Sequence, residues 1–137
     1  MALPTKLQLE IVTPDRAVVR EEVDEVVVPG AEGELGILPG HTPLLATLRI
    51  GPLRYRTGSK IERLVISWGF AEVLPDRVIV LAERGFLPGE IDRAEAERMR
   101  QEAEREIADL SSHDEGFALA EARLEESIAM INVGRET

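Results

Sequence analysis

Several kinds of site are excluded by what the 137-residue chain lacks. It contains no cysteine, so it has no disulfide framework and no thiolate metal site. With only two histidines, His41 and His113, it offers few ligands for a transition metal. Its 16 basic residues face 26 acidic ones, and the net charge of −10 disfavours binding to nucleic acid. No apolar run reaches the roughly 20 residues that a transmembrane helix needs, so we expect membrane contact only through a partner.

Composition and pattern both change near Leu87-Pro88-Gly89. Residues 1–89 hold 10 basic and 12 acidic residues, whereas residues 90–137 hold 6 and 14. Before this change, short runs of Val, Ile and Leu are separated by Gly/Pro turns, a pattern typical of a β-sandwich or barrel of eight to ten strands. We therefore predict two parts, a β body over residues 1–87 and a helical part over residues 88–137.

Two apolar stripes with helical spacing follow the β body. The members of the stripes are Ala96, Met99, Ala103, Ile107 and Leu110, then Phe117, Ala120, Leu124, Ile128 and Ile131. Asp92 can cap the first helix, with Glu95 as its partner three residues on. The stripes predict an antiparallel hairpin of two helices. Because alanine favours a helix but buries little surface, we expect the hairpin to keep its helical form more firmly than its contact with the β body. The pattern leaves two possibilities open: the hairpin leaves the β body while staying helical, or it remains docked.

The segment from Pro29 to His41, PGAEGELGILPGH, contains four glycines, two prolines and two carboxylates. Because glycine widens and proline restricts the backbone angles, we predict a shaped loop that presents Glu32, Glu34 and His41. These groups could act in acid–base chemistry, but no nucleophile or oxyanion device accompanies them. The glycine spacing matches neither a dinucleotide loop nor a phosphate loop. We therefore expect no catalysis, no cofactor and no metal at this segment.

Motifs along the whole chain resemble those of the ε-subunit family of bacterial F-type ATP synthases. The specific run is GELGILPGH at residues 33–41, and it is followed in family order by GPLR at 51–54, GFAEV at 69–73 and EID at 90–92. The resemblance implies a ten-stranded β-sandwich followed by an antiparallel two-helix hairpin. It also implies a non-catalytic rotor subunit of the central stalk, which couples rotation of the c ring through γ to ATP synthesis.

The same resemblance implies partners and a location. The sandwich would bind the γ subunit and the c-subunit ring, and the extended hairpin would reach the α/β head. The expected location is the cytoplasmic face of the bacterial plasma membrane, as a peripheral part of the complex, with the plastid thylakoid as the less favoured alternative. The implied c-ring contacts are Ala31, Glu32, Glu34 and Leu35. His41 matches the histidine on the γ side. For Glu34, a solvent-exposed turn carboxylate is the alternative.

The resemblance further implies that the hairpin regulates ATP hydrolysis. Its basic residues before the C-terminal tail are Arg93, Arg98, Arg100, Arg105 and Arg123. Because the hairpin is strongly acidic and its second helix carries only the last of these before the tail, we expect modest inhibition. Family members that bind ATP carry Ile-Asp-x-x-Arg-Ala at the start of the hairpin. Here Ile91, Asp92 and Ala96 match, but Glu95 stands in the arginine position, so we expect no bound ATP.

Two alternatives to this resemblance remain at the level of sequence. An unrelated interaction module with a β-sandwich and a helical hairpin predicts the same fold. A hydrolytic sandwich enzyme would require Glu32, Glu34 and His41 to converge in one polar pocket.

Overall fold

The computed structural model describes residues 3–135, in which eight strands precede two helices. The strands are β1 Leu7–Thr13, β2 Arg16–Val23, β3 Glu25–Gly30, β4 Gly33–Ile37, β5 Leu44–Leu48, β6 Gly51–Thr57, β7 Lys60–Leu74 and β8 Arg77–Phe86. A 3₁₀ turn at Pro88–Glu90 leads to α1 Arg93–Asp109 and α2 Phe117–Arg135. The predicted order of a β body and a helical hairpin is therefore confirmed.

The strands form a β-sandwich around one core. Their hydrogen-bonded order is β2-β1-β8-β7-β5-β3-β4, and β6 joins β3 and β7 to complete the second layer. Only the β1–β8 pair is parallel among the strand pairs of the described chain. Alternate residues point inward in strands such as β1 and β6, and the largest fully buried side chains include Leu7, Leu9, Ile11, Leu53 and Leu64. This alternation is the period-2 pattern on which the β prediction rested.

The expected count of ten strands is too high, since the described residues form eight. Two strands are long because β7 and β8 pass from one layer to the other as continuous strands, with only the Trp68–Glu83 pair missing from the ladder between them. The first part of β7 pairs with β6 up to Ile66, and its second part pairs with β5 from Gly69 onward. A corner at Trp68 and Gly69 therefore bends one strand where two short strands were expected.

The corner also reverses the side-chain alternation of β7. Trp68 has φ 55° and Gly69 has φ 154°, both in the positive region that strands otherwise avoid. Before the corner the even-numbered Leu64 and Ile66 face the sandwich core, and after it the odd-numbered Ala71 faces that core. The outer face of β7 therefore carries odd-numbered residues in one layer and even-numbered residues in the other.

The segment predicted as a loop, Pro29 to His41, is mostly a β-hairpin. Strand β3 continues to Gly30, Ala31 and Glu32 form the turn, and β4 begins at Gly33. The alternation of half-buried Leu35 with buried Ile37 favours a strand, and the positive φ of Gly33 supplies the turn geometry. The glycines therefore shape one tight turn and leave the backbone of the rest paired.

The helices match the predicted hairpin with one error in its buried face. Asp92 caps α1 by accepting a hydrogen bond from the backbone N–H of Glu95, as predicted. Ala96 and Ala103 are buried, but Ile128 of the second stripe is 42% exposed. That assignment was wrong because α2 packs on α1 and on the sheet at once, so Ala129 and Met130 are buried instead.

The hairpin is docked on the sandwich. A second apolar cluster joins Val65 of β7 to the helices; its members are Val65, Ala96, Ala129, Met130, Ile131 and Val133, with Phe86 and Ile91 packed against them. Strand β8 ends at Phe86 and α1 begins at Arg93, so the predicted boundary near residue 87 falls in the connection between them. The outermost ends of the two predicted parts, residues 1–2 and 136–137, lie outside the described residues.

The single tyrosine of the chain provides a test of the core at the β6 end of the sandwich. Burial raises the pKa of Tyr55 to about 12, and the negative charges of Glu21 and Glu62 add to the rise. An unfolded tyrosine titrates near 10, so between about pH 10 and 12 the folded chain keeps a proton that the unfolded chain loses. We expect folding stability to fall as pH rises above about 10. Titration of the folded chain, followed by the ultraviolet absorbance of tyrosinate, measures the pKa of Tyr55 on which this expectation depends. A titration midpoint near pH 10 in the folded chain would contradict the expectation.

Candidate functional site

The tip of the β3–β4 hairpin places its carboxylates in solvent. Ala31, Glu32 and Glu34 are exposed and Leu35 is half-buried. An ion pair joins Glu34 to Arg54 of β6, with 3.0 Å between Oε2 and Nη1. This contact was not predicted from sequence, because β3 lies between the two strands and brings them together only in the folded sheet. An exposed pair contributes at most about 1 kcal/mol, so a cation on a partner can replace Arg54.

His41 lies in the connection between β4 and β5, apart from the carboxylates of the tip. Its Nδ1 is 2.6 Å from the carbonyl oxygen of Thr42, and its backbone N–H bonds to Leu38. The neighbouring Gly40 donates to the carbonyl of Pro75, which ties the connection to the β7–β8 turn. His41 therefore lies at the end of the sandwich where β7 turns into β8.

The predicted acid–base residues do not form one pocket. Glu32 and Glu34 line a hollow against β5, together with residues of the hairpin tip, and His41 is not part of its wall. Within residues 3–135, no three His, Asp or Glu side chains are grouped so as to hold a metal ion. The tip is thus an acidic protrusion with its polar groups directed outward.

A bare apolar face lies on the outer side of the layer that contains β1, β8, β7 and β5. Strand register puts Thr47, Phe70, Leu81 and Val12 side by side across these four strands, and we call these four residues the bare face. Phe70 is 52% exposed and Leu81 is 54% exposed. Apolar side chains grouped in this way on a soluble protein mark a surface that binds another molecule.

Trp68 extends the bare face toward the corner of β7. It is 46% exposed and lines one hollow with Phe70 and Leu81. This surface was not predicted from the sequence, because single apolar residues do not reveal which strands lie side by side. The available signal was the break in alternation between Ile66 and Ala71, which a strand of uniform period would not show.

The acidic tip and the bare face are neighbours. Thr47 lines both the hollow beside the tip and the hollow beside Phe70. The backbone N–H of Ala31 donates to the carbonyl of Thr47 at 2.8 Å, which fixes the tip against β5. One end of the sandwich therefore offers an apolar surface bordered by carboxylates, which suits a protein partner that is apolar and basic.

The basic residues of the hairpin are mostly engaged by its own carboxylates. Arg98 pairs with Glu95 at 2.9 Å, Arg100 pairs with Glu97 and Glu104, and Arg123 pairs with Glu106 of the other helix. The remaining members of the predicted set are the exposed Arg93 and Arg105. The hydrogen bonds that Arg100 donates to these two glutamates raise the pKa of Arg100. These pairs lower the positive charge that the docked hairpin presents to an acidic partner.

The residues that match the ATP motif have structural roles, and one of them, Ala96, is buried in the second apolar cluster. The carboxylate of Asp92 caps α1, and Ile91 is half-buried against the second apolar cluster. Glu95, in the position where the motif has arginine, directs its carboxylate to Arg98. A phosphate placed here would meet the charge of Glu95.

The helices of the described chain are too short or too polar to cross a membrane.

Comparison with known proteins gives consistent matches. A family model described as "ATP synthase, Delta/Epsilon chain, beta-sandwich domain" matches residues 6–88. The ATP synthase epsilon chain of Syntrophobacter fumaroxidans is 46% identical over 132 residues, covering 96% of this chain and 98% of that protein. ATP synthase epsilon chain 2 of Syntrophotalea carbinolica is 43% identical over 128 residues, covering 93% of each chain.

Solved structures show the same fold. A chain of the Euglena gracilis mitochondrial ATP synthase, in a cryo-EM structure of OSCP, F1 and the c ring, superposes with a TM-score of 0.83 at 27% identity. The alignment covers 95% of this chain and 82% of that chain. A chain from the central stalk and c ring of the Tetrahymena thermophila mitochondrial ATP synthase gives a TM-score of 0.60 at 15% identity, covers 97% of this chain and 99% of that one, and is a likeness of fold alone.

Proposed function

Because the chain belongs to the delta/epsilon family of ATP synthase subunits, we propose that it is a central-stalk subunit that links γ to the c ring. The chain is a non-catalytic subunit of the ATP synthase complex. In the proposed role it turns with the rotor and couples proton flow through the c ring to ATP synthesis. The observation that carries this proposal is the bare face bordered by the acidic tip.

The bare face is the proposed docking surface for γ. Phe70 and Leu81 are the exposed apolar side chains of a strip across the sheet, with Thr47 beside them, and they would lose their contact with water on binding. His41 lies at one end of the same layer, where it can contribute a polar contact at the rim. A central apolar strip with a polar rim is the usual anatomy of a stable protein interface.

The acidic tip is the proposed contact with the c ring. Its turn is short and its backbone is paired in the β3–β4 ladder, so little conformational freedom is lost on docking. A carboxylate that meets basic loops of a ring would determine the orientation of docking and the choice of partner more than it would increase the affinity. Glu34 is the leading contact, with Ala31, Glu32 and Leu35 beside it.

The helical hairpin is the proposed regulatory part. When extended it would reach the α/β head and hinder ATP hydrolysis. The internal ion pairs of Arg98, Arg100 and Arg123 support only modest inhibition, because these cations are already balanced by glutamates. We propose that no ATP binds at Ile91 and Asp92, since both are engaged in the fold. In the cell, the chain would sit on the cytoplasmic face of the bacterial membrane as a peripheral part of the complex.

The proposed function is tested by removal and return of the subunit. The complex lacking this chain is reconstituted in vesicles, and ATP-driven proton pumping is followed before and after the purified chain is added. We expect pumping to recover with about one chain per complex, as a one-to-one rotor subunit requires. Full pumping without the chain, or no recovery with it, would contradict a coupling role.

Replacing Glu34 with lysine is expected to weaken coupling without unfolding the chain. The substitution sets a cation against the basic loops of the ring and against Arg54, and exposed charges of this kind affect stability by less than about 1 kcal/mol. Proton pumping should fall roughly two- to tenfold in reconstituted vesicles. Glu22→Lys is the control, since Glu22 is an exposed glutamate on β2, the opposite edge strand of the sheet. If the Glu34 and Glu22 variants pump protons equally well, Glu34 is not part of the interface with the ring.

A further inference from the structure

The docked hairpin rests on the sandwich through one apolar cluster and one buried charge. The apolar contact centres on Val65, which α2 and α1 cover with alanine, methionine, isoleucine and valine side chains. The charge is Glu126 of α2, which is 6% exposed. It is the one Asp, Glu, Lys or Arg in the buried class among residues 3–134, and the sequence patterns gave no sign of it.

Glu126 is held by two residues of the sandwich. Ser67 of β7 donates its hydroxyl to Oε2 at 2.5 Å, and Arg84 of β8 donates from Nη2 to Oε1. Ser67 and Arg84 are themselves opposite each other in the β7–β8 ladder. Both oxygens of the carboxylate are therefore satisfied, and both partners lie on the sheet.

This arrangement forms in one position of α2 only. A carboxylate out of water is costly unless it is paired and hydrogen-bonded. A shift of α2 by one residue, or by one turn, would leave Glu126 without Ser67 and Arg84. An apolar contact tolerates such shifts, because hydrophobic burial has no preferred direction. The polar contact therefore determines the position in which α2 docks on the sheet, and the apolar cluster contributes buried surface area.

We propose that Glu126 is a positioning residue that locks the regulatory hairpin onto the sandwich, and that its contacts with Ser67 and Arg84 set how often the hairpin leaves. Arg84 is about half exposed and lies over the ring of Phe86, so it can turn to solvent when the hairpin departs. Release would then hydrate both charges without leaving either one buried. The lock is reversible for this reason.

The connection to the hairpin fixes where such a release begins. Arg16 of β2 pairs with Glu90 at 2.6 Å, and the same carboxylate accepts the backbone N–H of Leu87. The bond from Arg16 lowers the pKa of Glu90, so the pair is charged at neutral pH. Because these two contacts join Glu90 to the sandwich and to Leu87, we place the start of the movable part at Ile91.

Thiol labelling in the full chain measures release directly, since the protein has no native cysteine. Val65→Cys places a reporter under the hairpin, and Ile66→Cys places one in the sandwich core, because these neighbours face opposite sides of β7. The labelling rate at position 65 reports departure of the hairpin. The rate at position 66 reports opening of the sandwich.

Glu126→Gln is expected to raise the labelling rate at position 65 roughly 10- to 100-fold, because this factor corresponds to the free energy of a hydrogen bond to a charged group. The rate at position 66 should stay unchanged. Glu125→Gln is the matched control, because Glu125 is exposed on the same helix, and it should alter neither rate. An unchanged rate at position 65 would overturn the lock. An equal rise at both positions would also overturn it, since Glu126 would then support the whole fold.

A pair of variants tests whether Arg84 and Glu126 act as one unit. If they do, Arg84→Gln combined with Glu126→Gln should label position 65 little faster than Glu126→Gln alone. Independent, multiplying effects would contradict a shared lock.

The consequence for ATP hydrolysis rests on the proposed function, whereas the labelling result does not. In the assembled complex, Glu126→Gln should lower hydrolysis relative to Glu125→Gln, because a released hairpin reaches the head more often. Fast labelling with unchanged hydrolysis would keep the lock and count against regulation by the hairpin. If Glu126→Gln does not raise the labelling rate at position 65, Glu126 does not lock the hairpin, whatever the hydrolysis rate.

Discussion

Replacing Phe70 with glutamate is expected to lower the affinity for γ by roughly a hundredfold or more, while the chain stays folded. Phe70 lies at the centre of the bare face, between Thr47 and Leu81 in the strand register. A carboxylate there would be buried without a partner on docking, which costs far more than the lost apolar area. In the free chain the same side chain is half exposed, so the change affects stability little.

Titration calorimetry of the purified chain with γ measures this loss. Ile61→Glu is the control, because Ile61 is 48% exposed and lies on the same strand β7, on the other side of the corner at Trp68. The control should bind γ like the unaltered chain. If the Phe70 variant binds γ with unchanged affinity, the bare face is not the docking surface.

Replacing Gly69 with alanine is expected to remove more than about 3 kcal/mol of folding stability. Gly69 has φ 154°, and a Cβ there would lie 2.0 Å from the carbonyl oxygen of Leu81 and 2.9 Å from Cα of Ala82. Both atoms belong to the backbone of β8, which is hydrogen-bonded to β7 at this point. Neither can move away without opening the β7–β8 ladder that joins the two layers.

Urea unfolding followed by circular dichroism checks the Gly69 prediction. The midpoint should fall by more than about 1 M, given the slopes of small domains. Gly36→Ala is the control, because Gly36 has ordinary backbone angles and no heavy atom within 4 Å of an added Cβ. Equal midpoints for the two variants would mean that the corner is not fixed by Gly69.

The order of strands and helices could be predicted because it depends on local patterns. The alternation of Leu7, Leu9 and Ile11 specifies a half-buried strand wherever the chain folds. The Asp92 cap is likewise local, since its bond to Glu95 lies within one turn of the helix. Such features are consistent between the sequence and the structure because no distant contact competes with them.

Features that depend on pairing across the sheet could not be predicted in the same way. The ion pair between Glu34 and Arg54 requires β4 and β6 to flank β3. The bare face requires four strands to be placed side by side, and its exposure depends on which layer the hairpin covers. Residues on the uncovered layer, such as Phe70, and on the covered layer, such as Val65, have similar apolar character in the sequence.

Glu126 shows the limit most clearly. On a charged helix, one glutamate among several is predicted to lie on the solvent-exposed face. Its burial follows from the second face of α2, which the stripe through Ile128 did not indicate. Only the docked position of α2 brings Ser67 and Arg84 within hydrogen-bonding distance.

If this subunit turns with the rotor, as we propose, its rotation can be observed directly. The absence of native cysteine allows a single thiol to be placed at the exposed Glu22 by Glu22→Cys and to carry a visible bead. With the catalytic head of the complex fixed to a surface and ATP supplied, we expect continuous rotation of the bead in one direction. A bead that enters the complex but stays still relative to the head during hydrolysis would show that the subunit is not part of the rotor.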